Sequence, residues 1–351
     1  MWHSYAFVLL YIIDAAHTTH ASILSRRAAV AAVAAGGFSG STLSAKATVS
    51  SNRLISSSTQ GSRLPLTIGQ GTCLVRPGQA QNIVKLGLDC GYKLFDTAQK
   101  YGNEAGVGSA LAGALAKGSL KRDELFVTTK VWIDNMGASK TDASVRQSAK
   151  DLGLSSIDLV LIHWPGQFKK RGDPENDALA RQVRQETWAS LEDLRAQGVC
   201  KNIGVSNFSE RHLKELLSYA SPGTVAVNQF EVHPYNDRQR LVELCKAEGI
   251  DVMSYCPLGG RGNKGQVTDM LLSDPAVLAI AKAHDCTAAQ VVLRWHLQRG
   301  LTPIPKASSK AHLAENFAPI EDAFELSRDE MRQLAGLNQD RFALFDADVL
   351  A

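Results

Sequence analysis

One helical stretch after another ends in glycine just ahead of a short apolar run, and this repetition restricts the chain more than any other feature. Gly153, Gly198, Gly249 and Gly300 all hold such positions. Glycine enters the left-handed C-terminal cap of a helix without steric cost, so each one marks a helix stop. The β-rich runs cover residues 92–96, 125–131, 157–164, 199–205, 225–230 and 250–255, with weaker ones at 301–306 and around Phe317. The run Ile157-Asp-Leu-Val-Leu-Ile162 is apolar except at Asp158, as expected of a parallel strand buried on both faces. Between the runs, residues 186–197 set Trp188, Leu191 and Leu194 on one helix face. Residues 238–248 do the same with Leu241, Leu244 and Cys245. About eight strand–helix units predict an α/β chain folded as one (β/α)8 TIM barrel. The competing reading is a doubly wound open sheet. Against it, Gly69-Gln-Gly71 lacks the third glycine of a dinucleotide fingerprint.

The barrel leaves part of the 351 residues over. Residues 1–63 read as a leader and 64–351 as the folding body. The leader holds a short apolar core at 8–13, small residues at Thr19-His20-Ala21, then Ser25-Arg26-Arg27 and a second small-x-small site at Ala45-Lys46-Ala47. It resembles a disordered bipartite presequence that sends a protein to a plastid-like organelle, and the arginine pair also resembles an export signal. Without such routing the protein is expected in the cytoplasm. The leader carries Arg26, Arg27, Lys46, Arg53 and Arg63 against Asp14 alone. The net charge of +3 therefore belongs to it, and the body is close to neutral. A body without a basic stripe is not expected to bind nucleic acid. The apolar core is too short for a membrane anchor. Six cysteines lack metal or disulfide-framework spacing and are expected to be free, mostly buried thiols.

In a (β/α)8 barrel, polar residues at the C-terminal ends of strands face the active site. Collected in order, they are Asp96, Lys130, His163, Ser206, Asn207, Gln229, Tyr255 and Lys306, with Tyr101 five residues beyond Asp96. Taken singly, each has a bland explanation as a cap, a core histidine or a surface residue. Together at one end of the barrel they make chemical sense. A lysine ammonium favours ionisation of a neighbouring tyrosine. Lys130, fixed by Asp96, is expected to lower the Tyr101 pKa so that it serves as general acid toward a developing alkoxide. His163 is expected to orient a carbonyl oxygen by a hydrogen bond.

Asp96-Thr-Ala-Gln-Lys-Tyr101-Gly-Asn-Glu104 resembles the first signature of the aldo-keto reductase superfamily. Thr129-Lys130-Val-Trp132, Leu161-Ile-His163-Trp-Pro165, Ile203-Gly-Val-Ser-Asn-Phe208, Asn228-Gln229, Tyr255-Cys-Pro-Leu-Gly259 and Ile304-Pro-Lys306 follow in the family's order. The resemblance implies reversible NADPH-dependent reduction of small aldehydes and ketones to alcohols, with Asp96, Tyr101, Lys130 and His163 as the catalytic set. It implies that Ser206, Asn207 and Gln229 hold the nicotinamide carboxamide, that Tyr255 stacks on the ring, and that Leu258 and the glycines after it cover the pyrophosphate. Lys306, Ser308 and His312 then meet the 2′-phosphate, while Glu315 and Asn316 approach the adenine. Cys73, Trp132 and Trp164 line the substrate pocket. No metal is implied, and a monomer is expected.

Three departures qualify this. His312 replaces an arginine, which predicts that NADH is also accepted, because histidine is largely neutral near pH 7. Cys73 replaces an aromatic wall, which predicts a wider pocket. Cys256 replaces a serine beside the nicotinamide platform, so its oxidation is expected to stop turnover. Only ten residues follow Arg341, which predicts an open pocket without a covering tail. The alternatives from other classes are a cofactor-binding redox sensor on the same barrel and a Schiff-base aldolase built on Lys130.

Overall fold

The computed structural model describes residues 64–350 except 119, 168–171, 173, 261–265, 322–323, 345 and 347–348. The leader expected over residues 1–63 lies outside the described residues, as does the glycine-rich part of the pyrophosphate loop at 261–265. Eight strands run parallel in chain order: β1 Gln70–Gly71, β2 Leu94–Asp96, β3 Phe126–Val131, β4 Ile157–Ile162, β5 Cys200–Ser206, β6 Val225–Glu231, β7 Asp251–Tyr255 and β8 Thr302–Pro303. Helices α1 Pro77–Asp89, α2 Glu104–Ala116, α3 Ala138–Leu152, α4 Pro174–Ala196, α5 Glu210–Leu217 and α6 Gln239–Ala247 connect the first seven strands. Between β7 and β8 come α7 Gln266–Leu272, α8 Pro275–Ala283 and α9 Ala288–Gln298, and after β8 come α10 Lys310–Glu321 and α11 Arg328–Ala335. Among the described residues no single helix is long and apolar enough to cross a membrane.

The seam between β8 and β1 closes the barrel. Gly69 N–H donates to the Pro303 carbonyl at 2.9 Å, and Gly71 N–H donates to the Pro305 carbonyl at 3.1 Å. Proline has no N–H, so both seam bonds are donated by the β1 side. On its other edge, Ile304 N–H donates to the Ser254 carbonyl of β7 at 2.9 Å. This closure excludes the open doubly wound sheet.

Alternation along the strands builds two apolar layers. Leu94, Leu159, Leu161, Val227, Met253 and Ile304 point inward and fill the barrel, with Leu64 at one end. Their neighbours Phe95, Val160, Ile162 and Val252 point outward, where Trp188, Leu191 and Leu194 of α4 and other helix residues cover them. Burying one such large apolar side chain contributes about 1.5–3 kcal/mol. The close packing also explains Gly69: a Cβ there would lie 2.2 Å from Leu94 Cδ2.

Gly153, Gly198, Gly249 and Gly300 all have positive φ, between 65° and 75°, as the helix-stop reading requires. Two expectations need correction. The strand expected around Phe317 is instead part of α10, and the eighth strand is the two-residue β1, so Asp96 ends the second strand and not the first. The cysteines are all free, but only Cys200 and Cys245 are buried. Cys73 is exposed because it lies in the loop after β1, outside both apolar layers.

Candidate active site

Parallel register carries the chemistry-bearing residues to one mouth. Gly71 pairs with Asp96, Ser206 with Gln229, and Glu231 with Tyr255, all at C-terminal strand ends. Tyr101 reaches the same mouth through a single turn, Gln99–Tyr101, followed by Gly102 at φ 62°. Gln99 pins that turn: its side-chain oxygen accepts from Trp132 N–H at 3.0 Å and Asn135 Nδ2 at 2.8 Å. Gln99 escaped the sequence reading, although it stands inside the first signature.

Lys130 and Asp96 form a buried ion pair, Nζ to Oδ1 2.6 Å. A buried pair survives only when its remaining hydrogen-bonding capacity is met. Here Lys130 Nζ also donates to the Thr97 carbonyl at 2.9 Å, and Gln229 Nε2 donates to Asp96 Oδ2 at 2.8 Å. Lys130 Nζ then lies 3.5 Å from Tyr101 Oη. Gln229, expected to hold a carboxamide, thus also fixes the carboxylate behind the lysine.

The Tyr101 pKa moves opposite to expectation. Burial, followed by the nearby Cys73 and Asp96, pushes it well above its usual value near 10. The physical reason is that burial penalises the phenolate more than the Lys130 ammonium, paired with Asp96 at 2.6 Å, favours it. Tyr101 is therefore held as the neutral, proton-bearing phenol. Burial and the Lys130 charge together push His163 well below its usual 6.5, so its imidazole is neutral at pH 7. His163 stands edge-on to Tyr101, with ring centroids 5.7 Å apart, and to Trp132 at 5.1 Å. Its Nδ1 is buried without a hydrogen-bond partner.

On the opposite wall, Asn207 adopts a left-handed φ of 63°. Its Nδ2 donates to the His163 carbonyl at 2.9 Å and to Ser206 Oγ at 3.1 Å. Tyr255 Oη donates to Asn207 Oδ1 at 2.7 Å, fixing the half-buried Tyr255 ring. Cys256 follows at φ 46°, and burial holds its thiol protonated, well above the usual range. A protonated thiol is a slow nucleophile, so the expected oxidation sensitivity at Cys256 has little chemical support. Cys73 is a hydrogen-bond partner of Tyr101.

Farther out, Lys306, Ser308 and His312 are exposed at the β8–α10 connection and the first turn of α10, with Glu315 half-buried and Asn316 buried behind them. Helix N-termini attract anions, so this corner suits a phosphate. His312 Nδ1 lies 3.2 Å from Glu315 Oε2, a carboxylate that competes with any phosphate there. Leu258 is half-buried. Among the described residues no group of three His, Cys, Asp or Glu side chains is arranged to hold a metal ion.

The last described residue reaches the wall of the expected open pocket. Leu350 is 2% exposed and packs on Trp164, with Trp132 and Ile133 beside it.

A closed (β/α)8 barrel whose mouth holds a buried lysine–aspartate pair against a protonated tyrosine and a neutral histidine defines a class of oxidoreductases built for proton-coupled carbonyl chemistry. The aldo/keto reductase family model matches residues 66–339, and the chain belongs to that family. It is 40% identical over 296 residues to aldo-keto reductase family 1 member A1-A of Danio rerio, covering 81% of this chain and 90% of that one. It is 38% identical over 289 residues to the Homo sapiens member A1, covering 80% and 87%. Among solved structures, it matches the aldo-keto reductase enzyme MGS-M4 from a Medee basin deep-sea metagenome library, with TM-score 0.71, 34% identity, and 82% and 96% coverage. Gox0644 in its apo form gives TM-score 0.69 at 34% identity, covering 81% and 93%. The protein is thus an NAD(P)H-dependent oxidoreductase that acts on carbonyl compounds.

Proposed function

We propose that this enzyme reduces small aldehydes and ketones to alcohols with Tyr101 as the proton donor, and that NADPH is its main cofactor. The observation that carries this is the chain Asp96–Lys130–Tyr101, with contacts of 2.6 and 3.5 Å at one end of the barrel. The residues present fit a dinucleotide. Tyr255 offers a half-buried ring locked by Asn207, and the exposed donors Lys306 and Ser308 gather near the positive end of α10. When bound, the nicotinamide supplies the hydride.

The chain's own residues do the rest. The Tyr101 hydroxyl and the neutral His163 imidazole face the carbonyl oxygen, which becomes increasingly basic as the carbonyl is reduced. Tyr101 gives its proton to that oxygen, and Lys130 at 3.5 Å stabilises the phenolate left behind. Asp96 and Gln229 keep the ammonium in place. Trp132 and Trp164 exclude water from one side. A spectrophotometric screen of aldehydes, ketones and sugars with both reduced cofactors tests the reading, and absence of turnover with every carbonyl overturns it.

Two further results are expected. Tyr101 must be protonated to act, so reduction is lost only as pH rises through its raised pKa. The neutral His163 loses its role only as pH falls through its lowered one. A kcat/KM profile flat from about pH 6 to pH 9 follows, since this parameter reports free-enzyme groups. An ionisation near pH 7 with substantial loss of rate would contradict it. Second, Glu315 stands against His312 at 3.2 Å, where a 2′-phosphate is to be bound. The kcat/KM ratio of NADPH to NADH is expected below about a thousandfold, some 4 kcal/mol. His312→Arg should raise it about tenfold or more by adding a charge-assisted hydrogen bond. An unchanged ratio would remove His312 from phosphate recognition.

A further inference from the structure

The inner face of α4 carries a charge where the helix period calls for an apolar side chain. Arg184, Trp188 and Leu191 share that face and all three are buried, with Arg184 only 1% exposed. Its neighbours Arg181 and Gln182 are exposed, so the helix turns this one guanidinium inward. Two arms of the fork meet a carboxylate of α5: Nε donates to Glu215 Oε1 at 2.8 Å and Nη2 to Glu215 Oε2 at 2.9 Å. Nη1 donates to the Pro165 carbonyl at 2.9 Å. A buried ion pair is often no more stable than apolar packing of the same volume. What a hydrophobe cannot do at this position is hold a carbonyl, and the planar fork of arginine fixes both contacts at once.

Pro165 lies two residues beyond His163, and residues 163–166 are buried as the chain leaves β4. A buried carbonyl outside a sheet ladder needs a donor, and Arg184 supplies it. The His163 backbone is held on both of its own polar groups: its N–H donates to the Val131 carbonyl at 3.0 Å, and its carbonyl accepts from Asn207 Nδ2 at 2.9 Å. Those bonds tie the turn to β3 and to the end of β5. The Pro165 contact ties its far side to α4 and, through Glu215, to α5. Within the turn, His163 and Trp164 are each 8% exposed.

We propose that Arg184 is a positioning residue for the reaction: anchored on Glu215, it clamps the Pro165 carbonyl and so sets the His163 imidazole toward the substrate oxygen and keeps water from it. This rests on the carbonyl-reduction reading above, because His163 has an oxygen to orient only if a carbonyl is bound. The clamp works through the backbone, from the helix side of the barrel. The groups facing His163 are Lys130 from β3, Tyr101 from the turn before α2 and the uncharged Asn207 after β5, and loosening the clamp removes none of them. What changes is the burial that keeps the imidazole neutral. With water admitted, its pKa rises from its lowered position toward the ordinary 6.5.

Arg184→Lys tests it, because lysine keeps the charge but lacks the fork that reaches Glu215 and Pro165 together. The kcat for an aldehyde is expected to fall about tenfold or more, as for a small misplacement of the reacting geometry, with the Kd for NADPH changed less than about twofold. In a His163→Gln background the same substitution should change kcat less than about twofold, since residues acting through one another do not add. A readout independent of turnover is NMR of labelled histidine, with the His163 signals identified by their loss in His163→Gln. The wild-type midpoint lies well below 6.5, and in Arg184→Lys it is expected to move up toward that value. Glu215→Gln leaves the guanidinium in place without its charged anchor; it should shift the midpoint the same way, and it carries the test if Arg184→Lys does not fold. If wild-type protein turns over no aldehyde, the activity reading fails and the midpoints still judge the clamp. An unshifted midpoint in the folded variants, or an equal loss of kcat with and without His163, overturns the proposal.

Discussion

Tyr101→Phe is expected to lower kcat for aldehyde reduction by about 10²–10⁴, the range set by a positioned general acid, with the Kd for NADPH changed less than about twofold. The substitution removes one oxygen and leaves the ring edge-on to His163, where the centroids are 5.7 Å apart. It also leaves the Lys130–Asp96 pair intact, because that pair is completed by Thr97 and Gln229 and not by the phenol. The loss should therefore fall on the chemical step and not on folding or cofactor affinity. The competing donor is His163. Its imidazole is kept neutral by burial and by Lys130, which suits it to orient an oxygen but makes it an unwilling source of a proton. Stopped-flow measurement of a single turnover, with Kd taken from fluorescence titration, separates the two. If Tyr101→Phe keeps most of its rate while His163→Ala loses it, the proton comes from His163 and the assignment of Tyr101 is wrong.

What was legible in the sequence follows physical signal strength. Strands β3 to β7 are five to seven residues long and mostly buried, so their apolar runs stand out. β1 has two residues, one a glycine, and is defined by its seam bonds to Pro303 and Pro305, which no local pattern announces. Around Phe317 the apolar residues and Pro319 read as a strand-like stretch. Yet Pro319 lies near the end of α10, where Leu313, Asn316 and Ile320 bury one helix face. The site was legible because barrel topology gathers strand ends, so residues scattered from 96 to 306 needed no known distance to be grouped. What escaped depends on contacts between distant segments. Gln99 reaching Trp132, Gln229 reaching Asp96, and Glu231 reaching Ala343 leave no periodic trace. The direction of the Tyr101 shift was missed for a related reason. Lys130 is close to the phenol, but burial of the hydroxyl, which no local pattern announces, outweighs the ammonium.

Lys130→Met should be the most destabilising single change in the mouth. Methionine fills the space of the lysine stem and leaves the Asp96 carboxylate buried with Gln229 as its remaining partner. Breaking a buried pair in this way costs about 3–5 kcal/mol. For a body of this size that is a fall in Tm of roughly 6–15 °C. The double variant with Asp96→Asn removes the stranded charge and should recover most of that stability, since a neutral amide still accepts from Gln229. Activity should not recover with it. The phenolate formed when Tyr101 gives up its proton needs a cation, and the ammonium 3.5 Å from it is gone in both variants, so kcat should stay about 10²–10³ below wild type. Urea unfolding and steady-state turnover of the two variants measure the two effects separately. Stability and activity recovering together in the double variant would mean that Lys130 serves the fold alone; stability recovering without activity assigns the ammonium to the reaction and Asp96 to holding it there.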